Sequence, residues 1–384
     1  MSVEFQLGHQ DHLSVEDFLA RGHDGVGAIS LHPKAAGYQQ GAAEAAREAG
    51  LDVLFDPRAE RLTHPGSNHE GLPAYTGQLY DLDHLAVSDP ARQALVDLIL
   101  AAHPDACTII TPPYFLINDE RSAYLNLALA EATKHGTTLP VRPVVMLRSR
   151  LGLAQIKLLA DEYAKAGFDD VDVRFTPFGG ENESIRKIRP VFAAADLFRA
   201  AGFRVVLGRS GNIGQTAFAL GHVDGYSVGV GAMEHIDHAT DLSRQNRPPR
   251  LDANGRKKGG IWEGVYLPGP AITLSKKRAA ELLGNSDVRT RLGCRIGACA
   301  NSLMGPIADH KGHYLHARAA EMAALQAVPP AWRGKAETDR LHRAIEVRDL
   351  INRHYRGDDE PPLKTRTLHS LVDGIEEERS SAVA

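Results

Sequence analysis

The chain has 384 residues, 43% hydrophobic and 24% charged, the proportions of a globular protein with a sizeable core. It holds no run of 18 apolar residues to make a membrane-spanning helix. Its opening MSVEFQLGHQDH lacks the basic start and apolar stretch of a secretory leader. Three cysteines make no disulfide framework and suit a reducing interior, so the cytoplasm is the expected location. The net charge is −4, but residues 244–295 carry twelve Lys/Arg against four Asp/Glu, which points to an anionic partner.

Short β-branched runs alternate with longer amphipathic stretches, the pattern of βα units around a parallel sheet. Eight strands are predicted, at residues 3–7, 27–31, 52–56, 107–111, 143–147, 170–175, 204–207 and 226–230. Ser14-Val15-Glu16-Asp17 reads as a capping box opening a helix after the first strand. Helices over 37–49, 151–166 and 192–201 each end at a glycine, namely Gly50, Gly167 and Gly202. The expectation is an α/β fold, a (β/α)8 TIM barrel over residues 1–241. No G-x-G-x-x-G follows the first strand, which argues against an open dinucleotide-binding sheet, and no nucleotide cofactor is expected.

Residues 242–384 are expected to form a basic loop, a Cys/His region and C-terminal helices packed on the barrel. The basic loop carries Arg244, Arg247, Arg250, Arg256, Lys257 and Lys258. A strand at 261–267, a helix opened by Ser275 and a helix near 335–354 follow, with fraying from Asp373. The sequence leaves the oligomeric state open, a homodimer included.

Barrel active sites lie at the C-terminal ends of the strands, which turns the strand list into a site list. Asp56, Glu234 and Asp11 are the candidate catalytic carboxylates, because two such groups across a barrel mouth can serve as nucleophile and general acid/base. Gly208, Arg209, Ser210 and Gly211, with Gly229 and Gly231 after the last strand, read as a phosphate cradle: glycine lets the backbone approach an anion and arginine adds a bidentate contact. Arg58, Arg148, Arg150 and Tyr114 would complete the ring. The candidate substrate is therefore anionic, either a small molecule or a nucleic acid. Cys294 and Cys299, followed by His313 and His316, could hold a structural Zn2+, since two thiolates and two imidazoles close a tetrahedron.

The basic segment after the eighth strand, the Cys region and Tyr314-Leu315-His316 resemble a divergent tRNA-guanine transglycosylase, a family built on a (β/α)8 barrel with a zinc subdomain. Cys294 and Cys299 match the first and third cysteines of that family's C-x-C-x-x-C motif, and Ile296 stands in place of the second. Val223-Asp224-Gly225-Tyr226-Ser227 is similar to its V-D-x-F-D stretch, with Ser227 where a catalytic Asp would be. Asp56 is followed by Pro57-Arg58 rather than by the family's S-G-G-F-Q. The resemblance implies base exchange at a glycosidic bond in RNA or DNA. Two other expectations stand beside it: a barrel lyase or hydrolase for a small phosphorylated or carboxylated metabolite, and a non-catalytic nucleic-acid-binding relative.

Overall fold

Alternation along the strands sets the character of the barrel lumen. The first strand reads Ser-Val-Glu-Phe-Gln and the fifth Asp-Val-Asp-Val-Arg-Phe-Thr. Successive side chains point to opposite faces, so Val3, Phe5, Val171, Val173 and Phe175 form one face and Glu4, Gln6, Asp172 and Arg174 the other. The apolar face packs under the helices in the main core, leaving a charged interior.

The computed structural model describes residues 2–65, 69–231, 234–245, 264–294, 297–300, 305–357 and 360–383. Seven parallel strands run β1 Ser2–Gln6, β2 Val26–Leu31, β3 Asp52–Phe55, β4 Val144–Arg148, β5 Asp170–Thr176, β6 Arg204–Leu207 and β7 Gly225–Gly229. They pair in the order β3-β2-β1-β7-β6-β5-β4. The gap between β3 and β4 is bridged by residues 107–117. Thr108 N donates to Val53 O (2.9 Å), Ile110 N to Pro140 O (2.9 Å) and Ile117 N to Met146 O (2.8 Å). This segment is the eighth stave, so the ring closes as a (β/α)8 barrel. The expected strand at 107–111 is irregular because Pro112 and Pro113 supply no N–H and break the ladder.

The helical layer follows the predicted order, with shifts. The first helix is His12–Arg21 with Asp11 at its N-cap, three residues earlier than the Ser14 capping box implied. Between β3 and the helix that starts at Asp89 lie a 3-10 turn, Ala59–Thr63, and a short helix, Leu82–Val87. After β7 come His238–Gln245 and a two-stranded antiparallel hairpin, β8 Gly264–Leu267 and β9 Ile272–Ser275. The basic residues beyond Arg244 in the 244–258 stretch lie outside the described residues. Ser275 caps the helix Lys276–Gly284 as expected, its hydroxyl accepting from Arg278 N.

The helix His310–Ala327 packs against β1 and against His12–Arg21, and it buries Tyr314, Leu315 and Met322 in the main core. It occupies the place of the last barrel helix. Pro330–His354 then packs on Gly211–Leu220, and Arg366–Val383 packs on both Pro330–His354 and Ile185–Ala200. The fraying expected from Asp373 is therefore corrected. The helix Arg366–Val383 runs through it, with Leu368, Leu371 and Val372 buried just before Asp373 and Ile375 buried within the segment.

Candidate active site

Asp56 follows β3 directly and is buried at the mouth of the lumen. Its Oδ1 accepts from Tyr114 Oη (2.8 Å) and its Oδ2 from Arg174 Nη1 (2.9 Å). Arg174 also donates to Asp172 Oδ2 through Nε (2.9 Å) and Nη2 (2.6 Å). Two further guanidinium groups stand near the same carboxylate, Arg58 Nε at 3.9 Å and Arg209 Nη2 at 3.8 Å. Burial pushes the Asp56 carboxyl up. The charges of Arg174 and Arg58, with hydrogen bonds from Arg174 and Tyr114, outweigh it and leave the group at about 2. Asp56 is thus an ionised anchor whose two oxygens are already engaged.

Arg209 is fixed by its own shell. Its Nε donates to Gln6 Oε1 (2.6 Å) and its backbone N to Ser227 Oγ (3.0 Å), while Gln6 Nε2 donates to Ser227 Oγ (3.1 Å). Arg58 and Arg209 both hold left-handed backbone, φ 51° and 49°, an uncommon conformation for a side chain other than Gly or Asn. Arg58 Nε is buried with no hydrogen-bond partner. Three arginines therefore surround Asp56, one matched by Asp172, and the mouth carries surplus positive charge with donor capacity left over.

A second buried carboxyl beside Asp56 was missed by the sequence reading. Glu60 sits in the 3-10 turn after β3, is buried, and has Oε2 unpartnered. Burial and the Asp56 charge push its carboxyl up to about 7, against the opposing pull of Arg58 and Arg61. Glu60 lines a cavity of about 1080 Å3, bounded by Phe115, Leu116, Arg148, Arg150 and His238 among others. Burial, aided by the charges of Arg58 and His9, holds His32 near 4. Burial, with His64 as the first charge against it, does the same for His238. Both imidazoles are neutral at pH 7. The expected Arg148 and Arg150 line this cavity rather than contacting Asp56. A signal for Glu60 was available: an acidic residue four positions after a strand-end aspartate.

The expected phosphate cradle has a different occupant. The helix Gly211–Leu220 begins where predicted, but Glu234 lies against its N-terminus, and a Cβ on Gly211 would sit 2.9 Å from Glu234 Oε2. Glu234 Oε1 accepts from Tyr314 Oη and from Arg318 Nη2, both at 2.5 Å. Glu181 adds a second carboxylate, accepting from Asn212 Nδ2 (2.7 Å) and Arg348 Nη1 (3.0 Å). The chain's own carboxylates thus fill the anion position, since a helix N-terminus favours negative charge. Ser210 Oγ donates inward to Leu207 O (2.9 Å). Gly208 has a packing role, because a Cβ there would strike Asp172 and Arg174. Gly229 ends β7 opposite Gln6, and Gly231 makes a positive-φ turn. Glu234 and Asp56 belong to separate networks. Asp11 belongs to neither: it pairs with Lys311 Nζ at 2.7 Å and accepts from Gly8 N.

Cys294, Cys299 and His313 converge, with one ligand atom from each lying within 4.8 Å of the others, and together they could hold a metal ion. His316 is the correction to the expected four: its ring lies edge-on against Phe18, 4.9 Å between centroids, and it is not one of this group. Ile296 lies outside the described residues.

No protein-family model matches this chain, and no curated protein matches it in sequence. Solved structures overlap it weakly. The 3-dehydroquinate dehydratase of Aquifex aeolicus VF5 is 12% identical with a TM-score of 0.35, over 64% of this chain and 98% of that one. An aldolase designated QR15 is 13% identical with a TM-score of 0.37, over 64% and 95%. The carboxyl transferase domain of Rhizobium etli pyruvate carboxylase is 10% identical with a TM-score of 0.38, over 100% and 60%. Overlaps this loose carry no functional argument, and the barrel assignment stands on the closed ring of strands and the stave between β3 and β4.

Proposed function

We propose that this chain is a barrel enzyme acting on a small carboxylated or phosphorylated metabolite by lyase or hydrolase chemistry. The carrying observation is the surplus of buried arginine around one carboxylate, with Arg58 Nε unpartnered. Arg58 and Arg209 would take the substrate anion, since planar guanidinium groups suit bidentate contact with carboxylate or phosphate. Glu60 would transfer the proton, because a carboxyl held near 7 exists in both forms at working pH. The cavity beside Glu60 would hold the rest of the substrate.

Calorimetric titration with inorganic phosphate and with malonate tests this reading. Saturable binding that falls about tenfold in Arg58→Gln, the loss of about 1.4 kcal/mol, supports it. No binding of either anion, or equal binding in the variant, sinks it.

A second reading keeps the transglycosylase-like base exchange in RNA or DNA. Two observations favour it: an ionised aspartate at a strand end, and a Cys/Cys/His group in the C-terminal region. Asp56 would be its nucleophile. Labelled-base exchange on tRNA and DNA, lost in Asp56→Asn, is its test. Binding of nucleic acid without exchange would point to the non-catalytic relative.

A further inference from the structure

We propose that Cys294, Cys299 and His313 form a three-ligand site for a thiophilic metal whose fourth position opens onto a second cavity and takes a small anionic ligand. This is independent of the reading of the barrel mouth.

The imidazole is set for the task. His313 Nε2 lies 2.6 Å from the carbonyl of Tyr266, which can only accept, so Nε2 carries the proton and Nδ1 presents its lone pair. Nδ1 lies 3.4 Å from Cys299 Sγ. A tetrahedral zinc with ordinary Zn–N and Zn–S bonds requires about 3.6 Å along that edge.

A fourth protein ligand is missing among the described residues. His316, one turn on, faces Phe18. The Asp309 carboxylate caps the helix His310–Ala327, accepting from Gly312 N at 3.0 Å. The flanking positions 295, 296 and 301–304 are Arg, Ile, Asn, Ser, Leu and Met, with no Cys, His, Asp or Glu among them. The third cysteine, Cys107, is buried in the barrel stave.

Closed structural sites use four protein ligands, and three with an open position is the arrangement of exchangeable sites. Here Cys294 lines a cavity of about 990 Å3 between the helices His310–Ala327 and Pro330–His354. Arg291, Arg340 and Arg343 share that lining. Glu337 binds Arg340 through Nε (2.8 Å) and Nη2 (2.7 Å), while Arg340 Nη1 is buried without a partner. The acids Glu321, Glu337 and Glu346 also line the cavity, but Glu337 is neutralised by Arg340 and Glu321 accepts from Tyr266 Oη at 2.9 Å. A metal cation, with Arg291 and Arg343 on the lining of the same cavity, favours an anion in the open position.

The test is Co2+ loading of the full chain, followed by 3-mercaptopropionate and, separately, its neutral counterpart 2-mercaptoethanol. The expectation is one Co2+ with thiolate charge-transfer absorption, and d–d bands that shift saturably with mercaptopropionate while no cobalt reaches the ultrafiltrate. About tenfold more mercaptoethanol should be needed for the same shift, an energy difference of about 1.4 kcal/mol. His316→Ala should keep its Co2+. Failure to bind Co2+, bands indifferent to added thiol, loss of metal in His316→Ala, or equal response to the two thiols would each overturn the proposal.

Discussion

Two regions of this barrel are built from the same residue types and end in opposite states. At the N-terminus of Gly211–Leu220, Glu234 and Glu181 face Arg318, Arg348, Tyr314 and Asn212, and both carboxylates are matched by buried partners. Around Asp56, three arginines share one carboxylate, Arg58 Nε has no partner, and Glu60 keeps a buried oxygen unpaired. Unmatched buried polar atoms are costly, and native structures tolerate few of them. The matched region is therefore read as structural and the unmatched one as a place for a ligand. Composition alone does not separate them, and neither do orphaned donors, since Arg318 Nε is as unpartnered as Arg58 Nε; the carboxylates do, because Glu60 and Asp172 keep buried unpaired oxygens and Glu234 and Glu181 do not.

The largest expected effect breaks the lumen side of this contrast. Arg174→Leu strips partners from both Asp56 and Asp172, and urea unfolding should show a loss of roughly 3–5 kcal/mol, as when one member of a buried pair is removed. A loss below 1 kcal/mol would mean that the pairs contribute nothing net.

Glu60→Gln should act in the other direction. A folded-state carboxyl raised to about 7 opposes folding as the group ionises, so the contribution of Glu60 to stability falls as pH rises from about 4.5 and levels off above 7. At pH 8 the variant should be more stable by roughly 2–3 kcal/mol, with little difference at pH 4, and any proton-transfer activity should disappear. A variant whose stability parallels wild type from pH 4 to 8 would remove Glu60 from its assigned role.

Tyr314→Phe deletes one charge-assisted hydrogen bond to Glu234 on the matched side. It should cost about 1.5 kcal/mol and leave anion binding at the mouth untouched. Weakened phosphate binding in this variant would show the two regions to be one site.

The smallest stability effect sharpens the contrast most. Arg58→Gln should cost less stability than Tyr314→Phe, because its guanidinium stands 3.9 Å from Asp56 and its Nε has no hydrogen bond to lose, while it still costs anion affinity. Comparable losses of stability and affinity would make Arg58 a structural ion-pair member.

Local patterns located the strands well, because β-branched runs between glycine-capped helices report secondary structure within a few residues. The stave at 107–111 was legible as a position but not as an irregularity, although Pro112 and Pro113 in the same segment already withhold two ladder donors. Arg58, Arg209, Tyr114 and Asp56 were correctly placed at one mouth by strand counting. Arg174 and Asp172 were passed over, although the alternation Asp-Val-Asp-Val-Arg already assigned them to the lumen. Glu234 was named as a mouth carboxylate, but its pairing with Tyr314 and Arg318, about 80 residues later, could not be read from spacing. Contacts across that separation depend on how the last helix returns to the first strand.

That return has a consequence for synthesis. β1 pairs with β7 along its whole length and is covered by His310–Ala327. β1, made before the six strands that follow it, is thus among the last to be enclosed. At roughly 5–20 residues per second, its unpaired edge stays open for at least about 10 s before β7 is made, and longer before the covering helix follows. Nascent chains stalled short of β7, in which β1 lacks both its edge partner and its covering helix, should be the ones that a holding chaperone grips most firmly.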